Sequence, residues 1–527
     1  MAKLITPRQA VDMVKDGATL GLTGFVSFGL PEELLLQMEQ KFLAEGHPRD
    51  LFTFFAAGIA GDGKTRGLNH FSHDGMIGKL YGGNNSMAPI MGEYIASNKF
   101  PAYMAPQGVI SHLMRAIAAG EPGVLTHVGL KTFCDPRVEG CRINDKCKEY
   151  NEEFVRLLEL GGSEYLFYRA FPIDVCFIKV TSVDEAGNAS IEHEAVHIEQ
   201  FELAAATHNS GGIVILQADR LVKKGSIPAR QVVIPGVLVD YMVIGSPENS
   251  RQHYAPDEEP YVASWTGEVK VPLDQMPAIP LNLRKICARR ALLELKPGGV
   301  TNLGAGMPTN LAAVANEEGL TDQIVLSMES GATGGMLASG LCSGASYNPD
   351  AILKQPDLFD FYDGGGIDVA YLGLAEADVH GNVNVSKFGG RVTGPGGFID
   401  ITQNAKKVCF MGSFTAGKSE IRVTDGKLDI VQDSGRVKFK QAVEQITFSG
   451  DYSREHGRQQ VLFITERAVF RLTEKGLQLI EIAPGVNLEK DILALMEFKP
   501  EISRELKIMD SRIFAEGPMG VEISELK

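Results

Sequence analysis

Apolar residues along the chain fall into two kinds of run. Short continuous ones, in GGIVILQ (211–217), KKVCFMG (406–412) and QIVLSM (323–328), read as buried strands, since a strand covered on both faces needs no polar alternation. Longer stretches, such as LRKICARRALLEL (283–295), carry helical spacing. GFVSFGLPEELL and NLGAGMPTNLAAV each read as strand, glycine-rich turn and a helix opened near proline. Strands and helices alternate throughout, which predicts an α/β protein with mainly parallel sheets covered by helices. In such folds ligands bind in a crevice at the carboxyl ends of the strands.

The pattern occurs twice. Ile173-Asp174-Val175, Asp184 and Gly187-Asn188 return as Ile367-Asp368-Val369, Asp378 and Gly381-Asn382; from 173 to 367 and from 188 to 382 the offset is constant at 194 residues. Thr207 and Asn209 match Thr402 and Asn404 at an offset of 195, and Gly29-Leu30-Pro31 parallels Gly306-Met307-Pro308. A duplicated α/β unit follows: an N-terminal domain over 1–245, a linker over 246–281 and a C-terminal domain over 282–527. The expected architecture is two homologous open α/β domains with the active site in the cleft between them. The linker carries Pro247, Pro256, Pro260, Pro272, Pro277 and Pro280 with the only tryptophan, Trp265, which suits an extended interdomain connection.

Composition narrows the class. A chain of 527 residues exceeds one hydrophobic core, and its 44% hydrophobic and 22% charged residues are those of a soluble globular protein. The net charge of −15 argues against nucleic-acid or membrane-surface partners. The N-terminal segment lacks the apolar core of a signal peptide, and no apolar run reaches the ~18 residues of a membrane span. Seven scattered cysteines form no CxxC pair, which fits a reducing cytoplasm and neither a zinc site nor a disulfide framework.

Three motifs point to other chemistries. Gly412 to Ser419 satisfies GxxxxGK[ST], but the following EIRVTDGKLDIVQ reads as a β-hairpin around Asp-Gly, where a phosphate-binding loop needs a helix. His193-Glu194-Ala195-Val196-His197 is a formal HExxH without a clear third ligand, and reads as an ordinary solvated face. Cys342 in GLCSG mimics a nucleophile elbow with no partner tied by spacing, and reads as a small packed residue. No metal is expected.

Glu329 ends the QIVLSM run and precedes Gly331, Gly334 and Gly335, a place where a substrate can approach the backbone closely; locally, a helix cap or a loop acid explains it as well. The wider set of turns is more specific. Gly304-Ala305-Gly306-Met307-Pro308, Asp363-Gly364-Gly365-Gly366-Ile367-Asp368 and Thr393-Gly394-Pro395-Gly396-Gly397-Phe398 flank it in order. With Gly24 to Pro31 and Ala105-Pro106-Gln107-Gly108 from the first half, nearly the whole chain resembles the family I coenzyme A transferases, nearest the acetate/propionate branch in which both halves are fused. Thr23 replaces the first glycine of that family's GGFxxxGxP, and MESG stands where 3-oxoacid enzymes read SENG, which weakens a 3-oxoacid assignment.

The resemblance implies a ping-pong reaction with Glu329 as nucleophile and a glutamyl-CoA thioester as intermediate. It implies oxyanion-stabilising backbone amides at Ala305 and at Gly396 or Gly397, and Gln107 orienting substrate from the other half. Gly364, Gly365, Gly366 and Lys418 are candidates for contact with CoA. Coenzyme A is a substrate; no tightly bound cofactor is expected. Substrates are then short-chain acyl-CoA (acetyl-, propionyl- or butyryl-CoA) and short-chain carboxylates, and the family suggests a homo-oligomer, with a tetramer among the expected states. Rival readings are an acyl-CoA hydrolase on the same scaffold and a non-catalytic ligand-binding α/β protein.

Overall fold

The computed structural model describes residues 2–150, 152–273, 278–456 and 459–526. Two sheets dominate. The first runs in the order Lys3–Leu4, Tyr241–Ile244, Ile213–Val222, Val175–Asp184, Thr19–Leu22, Leu51–Phe55, Ile77–Gly82, Ala102–Met104, every pair parallel, with Ala189–Ser190 as a short antiparallel addition. All ten residues of Val175–Asp184 are buried, as expected of a strand paired at both edges and covered on both faces. The second sheet has a parallel centre in the order Val325–Ser327, Val300–Leu303, Val369–Gly373, Lys407–Met411, Gln460–Ile464, and is extended at the far edge by Ala468–Thr473, Gly476–Ile482 and Glu501–Ile508.

The sequence repeat is a repeat of topology. Val175–Asp184 lies between Thr19–Leu22 and Ile213–Val222, and Val369–Gly373 lies between Val300–Leu303 and Lys407–Met411. The repeated Asp and Gly-Asn residues build the same turn twice. Asp184 Oδ1 accepts from the Ala186 and Asn188 amides and Asp378 Oδ1 from those of His380 and Asn382, while Asn188 and Asn382 each cap a glycine amide (Gly236, Gly450) at 2.9 Å. These residues close backbone turns; they are scaffold.

The linker departs from the extended connection expected of it. Trp265 is fully buried, 5.7 Å from the Phe28 ring and 5.6 Å from that of Tyr347, in a cluster with Phe25, Val196, Cys342 and Ala345 from both halves. It fills the seam. Pro277 lies outside the described residues. Asn282 then caps the helix Leu283–Leu292 through its side chain, accepting from the Arg284 and Lys285 amides.

The chain after Lys418 forms the hairpin Glu420–Thr424/Lys427–Gln432, turning at Asp425 and Gly426, both at positive φ. No helix opens there to receive a nucleotide phosphate. The HExxH segment corrects the solvated face expected of it: it is neither helical nor solvated. Glu194 is buried and paired with Lys179 at 2.8 Å, and Ala195 and Val196 are fully buried. Cys342 packs in the seam cluster, its thiol pushed up to about 12 chiefly by burial. No helix among the described residues is long and apolar enough to cross a membrane.

Candidate active site

Glu329 sits where the short strand Val325–Ser327 ends. The chain reverses at once: Met328 N–H donates to Ala332 O (2.9 Å) and Gly331 N–H to Met328 O (3.0 Å). Gly331 has φ +116°, and a Cβ there would collide with the carbonyl of Leu353, so this turn requires glycine. Glu329 is thereby held at the carboxyl end of a parallel strand, half-buried and facing a cavity of about 360 Å³. Burial beneath the two halves raises its pKa above the ordinary carboxylate value, against the opposing pull of its own backbone amide and the Asn302 side chain.

Both halves line the cavity. Phe25, Val26, Ile59 and Met87 come from the first and Met328 and Phe398 from the second, and Glu329 is the one charged side chain among the described lining residues. Val26, in the GFVSFGLP turn, adopts φ +54°, costly for a β-branched residue; it is held there by Val26 N–H to Gly58 O and Ala60 N–H to Val26 O, both 2.7 Å.

The GPGGF loop is clamped onto the first half by three backbone bonds. Asn85 N–H donates to Thr393 O (2.8 Å), Gly396 N–H to Gly83 O (2.8 Å) and Gln107 N–H to Gly396 O (2.9 Å). This corrects one expectation: the Gly396 amide is already engaged in the seam and does not face a substrate oxygen. Gly397, next in the loop, lines the cavity, as does Ala305, exposed in the turn after Val300–Leu303. Gln107 opens the helix Gln107–Ala119; its Nε2 donates to Gln355 Oε1 at 2.9 Å, and its Oε1 lies against Gly396.

Gly364, Gly365 and Gly366 are elsewhere. They terminate the helix Gln355–Asp363 and precede Val369–Gly373, at the opposite end of that strand from the cavity, where Gly366 N–H caps Phe361 O and a Cβ on Gly366 would collide with the Phe361 ring. A tight helix-to-strand turn accounts for these glycines, at a distance from the cavity that holds Glu329. Lys418 lines a second, more open cavity of about 680 Å³ with Arg284, Ser419 and Met307; Met307 lies two residues beyond Ala305, so the glycine turn separates the two spaces. The loop Gly83-Asn84-Asn85, which carries part of the seam clamp, has no local sequence signal that would mark it as part of the site.

Comparison with known proteins accords with this geometry. Residues 5–245 match the family model described as Coenzyme A transferase. The chain is 43% identical to the caffeate CoA-transferase of Acetobacterium woodii over 98% of both chains. It is 41% identical to the acetate CoA-transferase YdiF of Escherichia coli K12, over 99% of this chain and 97% of that one. A crystal structure of the acyl-CoA transferase YdiF from E. coli O157:H7, a thioester complex with CoA, superposes with a TM-score of 0.93 at 39% identity, covering 99% of this chain and 98% of that one.

Proposed function

The chain belongs to the coenzyme A transferase family, and on that premise we propose that Glu329 is the nucleophile through which it moves CoA between acetate and other short-chain acids. The enzyme transfers CoA from an acyl-CoA to a carboxylate through a covalent thioester. The Glu329 carboxylate attacks the acyl-CoA carbonyl, giving an acyl–glutamyl anhydride and CoA thiolate. The thiolate attacks the glutamyl carbonyl, the first acid leaves, and glutamyl-CoA thioester remains. A second carboxylate then runs the sequence backwards. The anhydride keeps the energy of the thioester, which a serine ester would largely dissipate.

One observation carries the assignment to Glu329: the lone charged side chain among the described residues lining the seam cavity stands at a strand end, between turns contributed by both halves. A raised pKa makes its carboxylate a stronger nucleophile than a free one while leaving it ionisable. Each tetrahedral step develops an oxyanion; Gly397 and Ala305 are the proposed donors, each worth about 3–4 kcal/mol by protease precedent. Gln107 is proposed to orient the reacting carbonyl with the Nε2 proton not given to Gln355. A mainly apolar lining, with no cation among its described residues, supports monocarboxylic acids, because the second carboxylate of a dicarboxylate would be buried unpaired. It also helps exclude water, which would hydrolyse the intermediates.

Lys418 and Arg284, beyond the Ala305 turn, are proposed to meet phosphate groups of CoA. The domain division at 1–245, 246–281 and 282–527 is supported by the first sheet ending at Ile244 and the first helix of the second half beginning at Leu283. A cytoplasmic homo-oligomer remains the proposed context. The test of function is acyl-CoA consumption with and without an acceptor acid. Consumption that requires the acceptor and disappears in Glu329→Gln is expected; consumption without acceptor would make the protein a hydrolase.

A further inference from the structure

The HExxH segment takes no part in the reaction described so far, yet from the first half it meets the second beside the nucleophile. His197 N–H donates to the carbonyl of Ser330, the residue after the nucleophile (3.1 Å), and His197 O accepts from Gln355 N–H (2.8 Å). Two residues on, the fully buried carboxylate of Glu199 accepts from Gln355 Nε2 at 2.7 Å. Gln355, itself fully buried, gives its other Nε2 proton to Ser111 Oγ (2.9 Å) and receives Gln107 Nε2 on its Oε1 (2.9 Å). A chain of side chains thus runs Glu199–Gln355–Gln107 from the strap to the cavity.

We propose that Glu199 is a positioning residue, acting through Gln355 to fix which end of the Gln107 amide is turned toward the reacting carbonyl. The argument is one of polarity. An amide can be inverted, and a chain of two amides can be inverted together; the Ser111 hydroxyl adapts to either sense because it both donates and accepts. An ionised carboxylate only accepts. Glu199 therefore requires the nitrogen of Gln355 on its side, which leaves the oxygen of Gln355 for Gln107, and Gln107 must present N–H to it. The second N–H of Gln107 is then available to a substrate oxygen. Inverted, Gln107 would spend its oxygen on Gln355 and place both N–H groups where its oxygen now lies against Gly396, a different donor geometry toward substrate.

The surroundings of Glu199 are consistent with a group retained for polarity and not for charge pairing. The neighbouring acid Glu202 lies 3.9 Å from Arg115 and 3.8 Å from Lys354, and Arg115 pairs more closely with Asp357 at 2.6 Å and Asp360 at 2.9 Å. Burial and Glu202 push the Glu199 carboxyl up to about 8. Below that value the neutral acid can donate as well as accept, so the one-way polarity belongs to the ionised form, at pH above about 8.

The proposal rests on the reading of Gln107 as a substrate-orienting residue, and a double-mutant cycle separates the two. Rates of CoA exchange are measured for the full-length enzyme, Gln107→Ala, Glu199→Gln and the double variant, with kcat and KM resolved for each. Glu199→Gln keeps the size of the side chain and restores the freedom to invert. Measured at pH above about 8, where Glu199 is ionised, we expect it to lower kcat about tenfold, the worth of one oriented hydrogen bond, with KM for acyl-CoA little changed, and to cost nothing further once Gln107 is alanine. Equal losses in both backgrounds would overturn the positioning role while leaving Gln107 in the site. A silent Gln107→Ala would remove Gln107 from the chemistry and this proposal with it. Should Glu199→Gln fail to fold, Gln355→Leu cuts the same relay, and its loss must likewise vanish in the Gln107→Ala background.

Discussion

Gly108→Ala places a wedge in the seam one residue from Gln107. The added Cβ would stand 2.5 Å from Asp400 Oδ1 and 2.6 Å from the Phe359 ring, against an ordinary contact of about 3.5 Å, so something must retreat by about 1 Å. Neither neighbour has room: Asp400 and Phe359 are both fully buried, and the Phe359 ring meets Tyr362 edge-on at 5.9 Å. Relief comes by moving the helix Gln107–Ala119 away from Phe398–Asn404, which carries Gln107 away from the GPGGF loop. Overpacking of this kind costs about 1–3 kcal/mol, a Tm loss of roughly 2–10 °C in a domain of this size. A displacement of about 1 Å at a positioned group costs on the order of 100-fold in rate. The assay is the initial rate of acetyl-CoA:acid exchange beside a thermal melt. Gly92→Ala, in the helix Pro89–Ala96, is the control: its Cβ would meet nothing closer than Asn85 Nδ2 at 3.3 Å, and helix propensity favours alanine, so rate should hold within a few-fold and stability hold or rise by up to about 1 kcal/mol. A Gly108→Ala enzyme with wild-type kcat and an unshifted melt would show that the seam has slack, and the argument that it positions the catalytic groups would fail.

Other consequences are open to direct measurement. Succinyl-CoA should be used at least 100-fold less efficiently than butyryl-CoA, since its free carboxylate meets no cation among the described lining residues; comparable kcat/KM values would refute this reading of the cavity. Lys418→Ala should raise KM for acyl-CoA a few-fold at low salt, less at high salt, and leave kcat alone; an unchanged KM removes Lys418 from CoA binding. Glu199 holds its proton in the folded state up to about 8 while the unfolded chain loses it near the ordinary value of 4.5. Its contribution therefore lowers stability as pH rises between those values, by a few kcal/mol at most, and is constant above. Urea unfolding at pH 5 and pH 8.5 should show that slope flattened in Glu199→Gln, and an unaltered slope would contradict it.

Much of the fold is legible in the sequence because its signals are local. The buried runs at Ile213–Val222 and Lys407–Met411 are strands, and the hairpin after Lys418 follows from Asp425-Gly426 between alternating residues. The repeat reports real topology because the Asp–Gly–Asn turns it preserves close through bonds of two to four residues. What is not legible depends on distant partners. Gly396 looks like a free amide until Gly83 is found on it, and Gly364 to Gly366 read as a ligand loop in sequence while the strand direction sets them at the end away from the Glu329 cavity. The Glu199–Gln355–Gln107 chain spans separations of 156 and 248 residues, so no window contains it. HExxH misleads for a related reason: histidine and glutamate spaced for zinc on a helix are, in an extended strap, a buried ion pair and two backbone bonds.

The central claim is that CoA becomes covalently attached to Glu329. The enzyme is incubated with acetyl-CoA without acceptor, treated with borohydride, digested and mapped by mass. The account predicts that the peptide containing Ser327-Met328-Glu329-Ser330 carries the reduced side chain of a trapped thioester, and that excess acceptor acid added before borohydride abolishes it. A modification on any other residue, or full exchange activity with Glu329 unmodified throughout, would contradict it.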